Sequence, residues 1–264
     1  MLGAIIGDIV GSRFEFSNIK SKDFEMFYEK CFFTDDSVMT LAIAEAIIES
    51  ENDFTDLSDR TICCMKAIGR NYPDCGYGFM FGRWIYSNMS EPYNSYGNGA
   101  AMRVSACGFV GKTLDEVKDL SRKVTEITHN HPEGLKGAEA TAVAIFLART
   151  GSSIQEIEDY IDKNYYPMNF TLDEIRSKYE FNETCQGTVP QAIKAFLEST
   201  SFEDAIRNAI SIGGDSDTIG AITGGIAEAF YGIAEEMKVI AKTYLDGRLK
   251  KICEDFEKVY PSEK

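Results

Sequence analysis

The chain has 264 residues and a formal net charge of −15, with 44% hydrophobic and 26% charged residues. This composition is ordinary for a globular protein, and the negative charge argues against nucleic acid or an anionic membrane surface as the main partner, because both require a positive field. An anionic ligand would need local cations in order to bind.

The sequence shows no sign of export or of a membrane segment. Its first residues lack a basic region and reach Asp8 early, and no apolar run approaches the roughly 20 residues that span a bilayer. The seven cysteines are odd in number and form no Cys-x-x-Cys pair, which predicts reduced, mostly buried thiols. We therefore expect a soluble cytoplasmic protein.

Helical periodicity runs through almost the whole chain. Apolar residues at spacings of three and four predict a helix over 114–127, and Thr113 begins a Ser/Thr-x-x-Glu capping pattern that recurs at Ser153 and Thr171. Alternating patterns typical of strands are scarce, so we predict an all-α protein with residues 1–264 packed as one domain. Further helices are predicted over roughly 37–50, 55–70, 99–110, 134–149, 187–199, 202–212, 217–234 and 236–258.

Two pairs of aspartates stand where predicted helices begin. Asp35 and Asp36 lie in FTDDSV, and Asp215 and Asp217 lie in GGDSDT. Each pair alone is a common helix cap. Brought together, the four carboxylates would repel one another unless a cation lay between them, and oxygen ligands without His or Cys favour Mg²⁺ or Mn²⁺ over zinc. Neighbouring hydroxyl groups could add neutral ligands: those of Thr34, Ser37 and Thr218.

The helix predicted after Asp217 is rich in glycine and alanine, which predicts close approach of another backbone or of a ligand. The interval 72–99, rich in Gly, Tyr and Asn, predicts an ordered surface loop. Its last glycines, in NSYGNGAAMRVSACG, suit either the cradling of a phosphate or sugar or a turn before a helix.

The two histidines of the chain, His129 and His131, follow the C-terminal end of a predicted helix. Two interpretations stay open: a favourable contact with the helix dipole, or an imidazole that faces a ligand. No G-x-S-x-G motif or other local nucleophile pattern is present, so covalent catalysis has no support.

Seven stretches stand out in chain order: GAIIGDIVGSRFEF, FTDDSVMTLAIAEAI, YPDCGYG, SYGNGAAMRVSACGF, ITHNHPEGLKGAEATAVAIFLAR, TCQGTVPQAIKAFLES and AISIGGDSDTIGAITGGIAEAFYG. Together they resemble the ADP-ribosylglycohydrolase family, the group that includes the dinitrogenase-reductase-activating glycohydrolases. The resemblance implies an all-α fold, a cleft that binds ADP-ribose, and two divalent metal ions, Mg²⁺ or Mn²⁺.

The resemblance also implies roles for individual residues. Glu15 would lie near the metals and the scissile bond, with Glu15 or an aspartate such as Asp36 as the general base. The metal ligands would be Thr34, Asp35, Asp36, Asp215, Asp217 and Thr218. The residues that contact ADP-ribose would be Ser95, Tyr96, Gly97, Asn98, Gly99 and His129, with Asp74 near the distal ribose.

These observations predict a hydrolase that cleaves an N- or O-glycosidic bond between ADP-ribose and a protein side chain or a related small molecule. Two alternatives remain: an Asp-rich dimetal phosphohydrolase, and a catalytically silent relative with the same fold. Residues 72–92 do not single out one acceptor.

Overall fold

The structure, a computed structural model, describes residues 1–261. Within that range all named elements are helical, which confirms the all-α prediction. A short 3-10 helix, Ser12–Phe14, directly follows the first α-helix. The α-helices are α1 (Leu2–Gly11), α2 (Asp35–Glu49), α3 (Leu57–Gly69), α4 (Phe79–Tyr86), α5 (Gly99–Met102), α6 (Ser105–Val110), α7 (Leu114–Thr125), α8 (Pro132–Arg149), α9 (Ile154–Asn164), α10 (Leu172–Arg176), α11 (Cys185–Leu197), α12 (Phe202–Ser211), α13 (Ser216–Tyr231), α14 (Glu235–Tyr244) and α15 (Gly247–Val259).

Two of the predicted helices are each two helices in the structure. The predicted helix 99–110 is interrupted at Arg103 and Val104, whose ψ angles are −5° and 4°, and becomes α5 and α6. The predicted helix 236–258 is divided into α14 and α15. The carboxylate of Asp246 caps α15 by accepting hydrogen bonds from two backbone N–H groups of its first turn, so a new helix begins there.

Two helices are absent from the sequence prediction. α1 contains three glycines and is buried along its whole length, so it has neither high helix propensity nor an amphipathic period. The interval 72–99 contains α4, whose Phe81, Trp84 and Ile85 are buried. The prediction of a surface loop throughout that interval is therefore wrong, because one face of α4 packs on the core.

The capping patterns are confirmed at the starts of α9 and α10. At Ser153 and Thr171 the hydroxyl oxygen accepts a hydrogen bond from the backbone N–H three residues on. The carboxylate of the glutamate at that position accepts one from the backbone N–H of Ser153 or Thr171. At Thr113 the hydroxyl accepts from Glu116 N–H, but the Glu116 carboxylate accepts from Lys112 N–H instead.

The closest packing in the fold joins α1 to α13, which also contacts α8, α11 and α12. A Cβ added to Gly7 would lie 1.9 Å from the carbonyl oxygen of Gly220, and one added to Gly224 would lie 2.0 Å from that of Gly3. The backbones of the two helices therefore touch, which confirms the close approach predicted from the glycine-rich sequence of α13. This contact brings the polar start of α13 beside the end of α1.

Buried apolar side chains form one continuous core around these helices. All seven cysteines are free and five of them are buried, which confirms the prediction of unpaired, mostly buried thiols. Among residues 1–261, no helix combines the length and the apolar character that crossing a membrane requires.

Candidate metal and ligand site

An open cavity of about 330 Å³ lies where α2, α5 and α13 begin. Most of the site residues predicted from the sequence line it, whereas Thr34, Asp74 and Tyr96 do not. Those on its wall are Glu15, Asp35, Asp36, Ser95, Gly97, Asn98, Gly99, His129, Asp215, Asp217 and Thr218.

The first turn of α2 is capped by Thr34 and not by the aspartates. The Thr34 hydroxyl oxygen accepts a hydrogen bond from Asp36 N–H at 3.3 Å. Asp215 occupies the corresponding position of α13, but its carboxylate makes no capping bond. The capping interpretation of the two aspartate pairs is therefore wrong, since a hydroxyl caps α2 and no side chain caps α13.

Asp8 is a site residue that the sequence analysis did not identify. It lies within α1, is fully buried, and accepts hydrogen bonds from the N–H and hydroxyl groups of both Thr34 and Ser37. The Thr34 hydroxyl donates to Asp8 Oδ1 at 2.8 Å, and Thr34 does not line the cavity. Burial raises the pKa of Asp8 to about 6, although these four hydrogen bonds lower it. A lone carboxylate in an otherwise apolar helix was the available signal.

Carboxylates from three segments meet on the cavity floor. Glu15, Asp215 and Asp217 each place an oxygen within 4.8 Å of the others. The Thr218 hydroxyl donates to Asp36 Oδ2 at 3.2 Å, which joins this group to the start of α2. Asp215 is held by Asn98, whose side-chain N–H group donates to its Oδ2 at 2.6 Å.

The electrostatics of this floor disfavour five bare negative charges. Burial, reinforced by the neighbouring carboxylates, raises the pKa values of Asp35, Asp36 and Asp217 well above their usual range. Burial also raises the pKa of Asp215 to about 6. For Glu15, burial and then the charges of Asp217 and Asp8 raise the pKa to about 8.

The donor set fits divalent metal ions. Asp36 and Asp217 are 2% and 4% exposed, and one oxygen of each, Oδ1, is buried without a hydrogen-bond partner. In the described residues no lysine or arginine forms an ion pair with Asp36, Asp217 or the other carboxylates of the floor. A buried cluster of hard oxygen atoms without a cation partner suits Mg²⁺ or Mn²⁺.

The wall beside the floor is built from the SYGNG segment and His129. A Cβ added to Gly97 or Gly99 would lie 3.6 or 3.5 Å from His129 Nε2, so the glycines keep this wall free of side chains. Gly97 pairs with Thr184 in an antiparallel bridge, in which Asn98 N–H donates to Glu183.

The histidines have different surroundings. His129 is buried and lines the cavity, which favours the ligand-facing interpretation. His131 instead caps α8, its Nδ1 accepting from Glu133 N–H at 3.1 Å, and its ring lies 5.1 Å from that of Tyr96. The dipole interpretation is therefore wrong for His131, because it meets the N-terminus of the next helix.

The YPDCGYG segment approaches the site through its backbone. The carbonyl of Cys75 accepts from Asp35 N–H at 2.8 Å, and Gly76, with φ +110°, passes beside the Asp35 carboxylate. The side chain of Asp74 is exposed. Phe181, which lines the cavity, stacks on Phe16 with the ring centres 6.0 Å apart.

Several known proteins are similar to this chain over most of its length. It is 26% identical to "ADP-ribosylhydrolase ARH3" from Xenopus tropicalis, with 93% of this chain and 91% of that protein covered. It is 25% identical to the Homo sapiens protein of that name, with 88% and 84% covered. It is 24% identical to "ADP-ribosylarginine hydrolase Tri1" from Pseudomonas putida, with 89% and 70% covered.

A solved structure described as "ADP-ribosylglycohydrolase-related protein complex" shares the fold, with a TM-score of 0.69 at 22% identity. The match covers 98% of this chain and 95% of that one. The family described as ADP-ribosylglycohydrolase matches residues 1–262. Since that match extends over almost all of the sequence, the chain belongs to the ADP-ribosylglycohydrolase family.

Proposed function

We propose that this protein hydrolyses the N- or O-glycosidic bond between ADP-ribose and an acceptor, using two divalent ions, Mg²⁺ or Mn²⁺. The observation that carries the proposal is the unpaired, buried carboxylate floor beneath a wall made by Gly97, Gly99 and His129. The relatives named as ADP-ribosylhydrolases support the substrate class.

Two helix starts would hold the ions. Asp35 and Asp36 from α2, with Asp215, Asp217 and Thr218 from α13, are the ligands that we assign. Divalent ions at these oxygens would supply Lewis-acid chemistry and would offset the charge that otherwise repels a diphosphate. Asn98 and Asp8 position the ligands, since Asn98 holds Asp215, and Asp8 holds the turn before Asp36.

Glu15 is the residue of the floor best placed to exchange a proton with the reacting atoms. It lies just after the 3-10 helix, is half-buried, and reaches within 4.8 Å of oxygens of Asp215 and Asp217; burial raises its pKa in the metal-free protein to about 8. Asp36 is the alternative base. Cleavage would pass through a transition state that resembles an oxocarbenium ion, as in other glycosidases.

The proposal is tested with arginine-, serine- and nucleobase-linked ADP-ribose and with a simple phosphoester, each in Mg²⁺, Mn²⁺ or EDTA. We expect release of ADP-ribose from at least one conjugate in the presence of metal and none in EDTA. Turnover of the phosphoester alone would instead identify a phosphohydrolase. Tight ADP-ribose binding without turnover of any substrate would identify a silent relative.

A further inference from the structure

Arg103, between α5 and α6, is a fully buried cation without a carboxylate partner. Its side chain is 0% exposed, and in the described residues no acidic group lies within ion-pair distance of it. The guanidinium lies 5.5 Å from the ring centre of Phe81. Burial of a charged group costs free energy unless hydrogen bonds compensate for the loss of water. The hydrogen bonds of the Arg103 guanidinium therefore indicate the structural role of this residue.

The best of these bonds leads to His129. Arg103 Nη2 donates to the hydroxyl oxygen of Thr128 at 2.7 Å, with a longer contact to the carbonyl of Val124 at 3.4 Å. The same Thr128 oxygen lies 2.8 Å from His129 Nδ1. Thr128 is itself fully buried, so its hydroxyl proton has no access to solvent.

The direction of these bonds determines where the imidazole carries its hydrogen. A guanidinium only donates, so the Thr128 oxygen accepts from Arg103 and keeps one proton to donate. Within residues 1–261, the acceptor within hydrogen-bond distance of this hydroxyl proton is His129 Nδ1. If Nδ1 carried the hydrogen instead, the buried hydroxyl proton would have no partner, which is unfavourable. Nδ1 is therefore the acceptor, and Nε2 carries the hydrogen.

The Nε2 atom faces the cavity wall. It lies 3.6 and 3.5 Å from the Cβ positions of Gly97 and Gly99, and no protein acceptor in the described range bonds to it. Burial and the charge of Arg103 hold the pKa of His129 well below its usual range, so the ring stays neutral. Arg103, Thr128 and His129 form a chain of two hydrogen bonds, in which the bond from Arg103 polarises the Thr128 hydroxyl that donates to His129 Nδ1.

We propose that Arg103 and Thr128 are positioning residues that hold His129 as a neutral imidazole with hydrogen on Nε2, so that this N–H donates to an oxygen of bound ADP-ribose. The identity of the ligand rests on the proposed function, whereas the tautomer does not. The oxygen belongs to the diphosphate or to a ribose hydroxyl, since a neutral N–H donor recognises either.

The tautomer is measured by ¹⁵N NMR of metal-free protein labelled at histidine, and the variant His131→Gln assigns the two rings. We expect a pyridine-type shift for His129 Nδ1 and a pyrrole-type shift for Nε2. The variant Thr128→Val should mix the two tautomers, and Thr128→Ser should restore the original shifts. Hydrogen on Nδ1 in the unmodified protein, or unchanged shifts in Thr128→Val, would overturn the proposal.

Thr125→Val is the matched control, because Thr125 is fully buried in the preceding turn and its hydroxyl has no hydrogen-bond partner. Its histidine shifts should match those of the unmodified protein. Far-UV circular dichroism of Thr125→Val and Thr128→Val confirms that both variants fold.

The role of the N–H group is tested by calorimetry with ADP-ribose in Mg²⁺. We expect Thr128→Val to weaken binding by about twofold or more, since only the fraction of rings with hydrogen on Nε2 can donate to the ligand, with affinity recovered in Thr128→Ser. Equal affinity in Thr128→Val, despite an altered tautomer, would overturn that role. If the unmodified protein fails to bind ADP-ribose, the proposed function and the ligand contact both fail, while the NMR result still decides the tautomer.

Discussion

At the scale of single residues, the group that caps the start of α2 differs from the carboxylates proposed to bind a metal ion. Thr34 satisfies the start of α2, and Asn98 and Thr218 each donate to one oxygen of an aspartate. Asp36 and Asp217 consequently keep a buried oxygen that no protein group satisfies. Removal of an aspartate should therefore affect a bound cation far more than the helix that carries it.

The variant Asp36→Asn tests this separation. We expect it to abolish Mg²⁺ or Mn²⁺ binding and ADP-ribosyl hydrolysis, while the far-UV helix signal persists, because Thr34 still caps α2. The metal-free variant should unfold at a higher temperature than the metal-free parent, since a carboxylate repelled by its neighbours is gone. Asp115→Asn, an exposed first-turn aspartate of α7, is the matched control and should change neither property. Unchanged metal affinity in Asp36→Asn would refute the assignment.

Glu15→Gln tests proton transfer. We expect kcat to fall by about 10²-fold or more, because the amide neither accepts nor donates the required proton, while ADP-ribose affinity in Mg²⁺ changes little. Steady-state kinetics and calorimetry on the same preparations check this. A fall in affinity that accounts for the whole loss of activity would show that Glu15 acts as a ligand and not as the acid or base.

The sequence predicts the chemistry of these residues better than their connections. The repeated Asp pairs and the SYGNG segment indicate the cavity, since residue type and local spacing carry that information. Asp8 escapes notice because its partners, Thr34 and Ser37, lie 26 and 29 positions away. Asp74 is likewise next to Cys75, whose carbonyl accepts from the backbone N–H of Asp35. This contact joins segments 40 positions apart, so local sequence does not predict that the side chain of Asp74 is exposed.

At the scale of elements, the contact of α1 with α13 controls the geometry of the floor. The helices meet through glycines, and Asp8 and Asp217 project from this pair toward the start of α2. Amphipathic helices such as α7 are predicted well because their polar face leaves a period in the sequence. The helix α1 has no polar face, so its structure depends on neighbours that are distant in sequence.

Gly7→Ala should separate α1 from α13. Its Cβ would lie 1.9 Å from the Gly220 carbonyl oxygen, so the backbones must move apart, at a cost of about 3 kcal/mol in the free energy of unfolding. Metal affinity should fall in parallel, because Asp8 and Asp217 shift. Gly247→Ala is the control: it has open space around its Cβ position within α15, so that protein should be at least as stable in urea as the parent. Equal stability of the Gly7→Ala protein would contradict the packing.

At the scale of the whole molecule, the acidic floor makes the stability of the metal-free protein depend on pH. Asp8, Asp215 and Glu15 bind protons more tightly in the folded chain than in the unfolded one. Their contribution to stability is therefore fully present below the pKa values of the unfolded chain and is lost as the pH rises through the folded values.

In EDTA, the melting temperature should therefore fall between roughly pH 4 and pH 8, and saturating Mg²⁺ should remove most of that fall because the ions replace the protons. Thermal unfolding followed by circular dichroism checks both curves. The apparent affinity for Mg²⁺ should rise over the same range, as calorimetry would measure. A melting temperature in EDTA that increases steadily with pH would contradict the charge distribution assigned to the floor.

The separation of the site residues along the chain has a consequence for synthesis. The contact of Thr218 with Asp36 spans 182 positions, and the start of α2 also depends on Asp8. A nascent chain on the ribosome therefore carries Asp8, Asp35 and Asp36 long before α13 emerges, and those carboxylates alone lack the opposite half of the floor. Under the proposed metal binding, a divalent ion would therefore meet its full set of ligands only after the start of α13 has emerged.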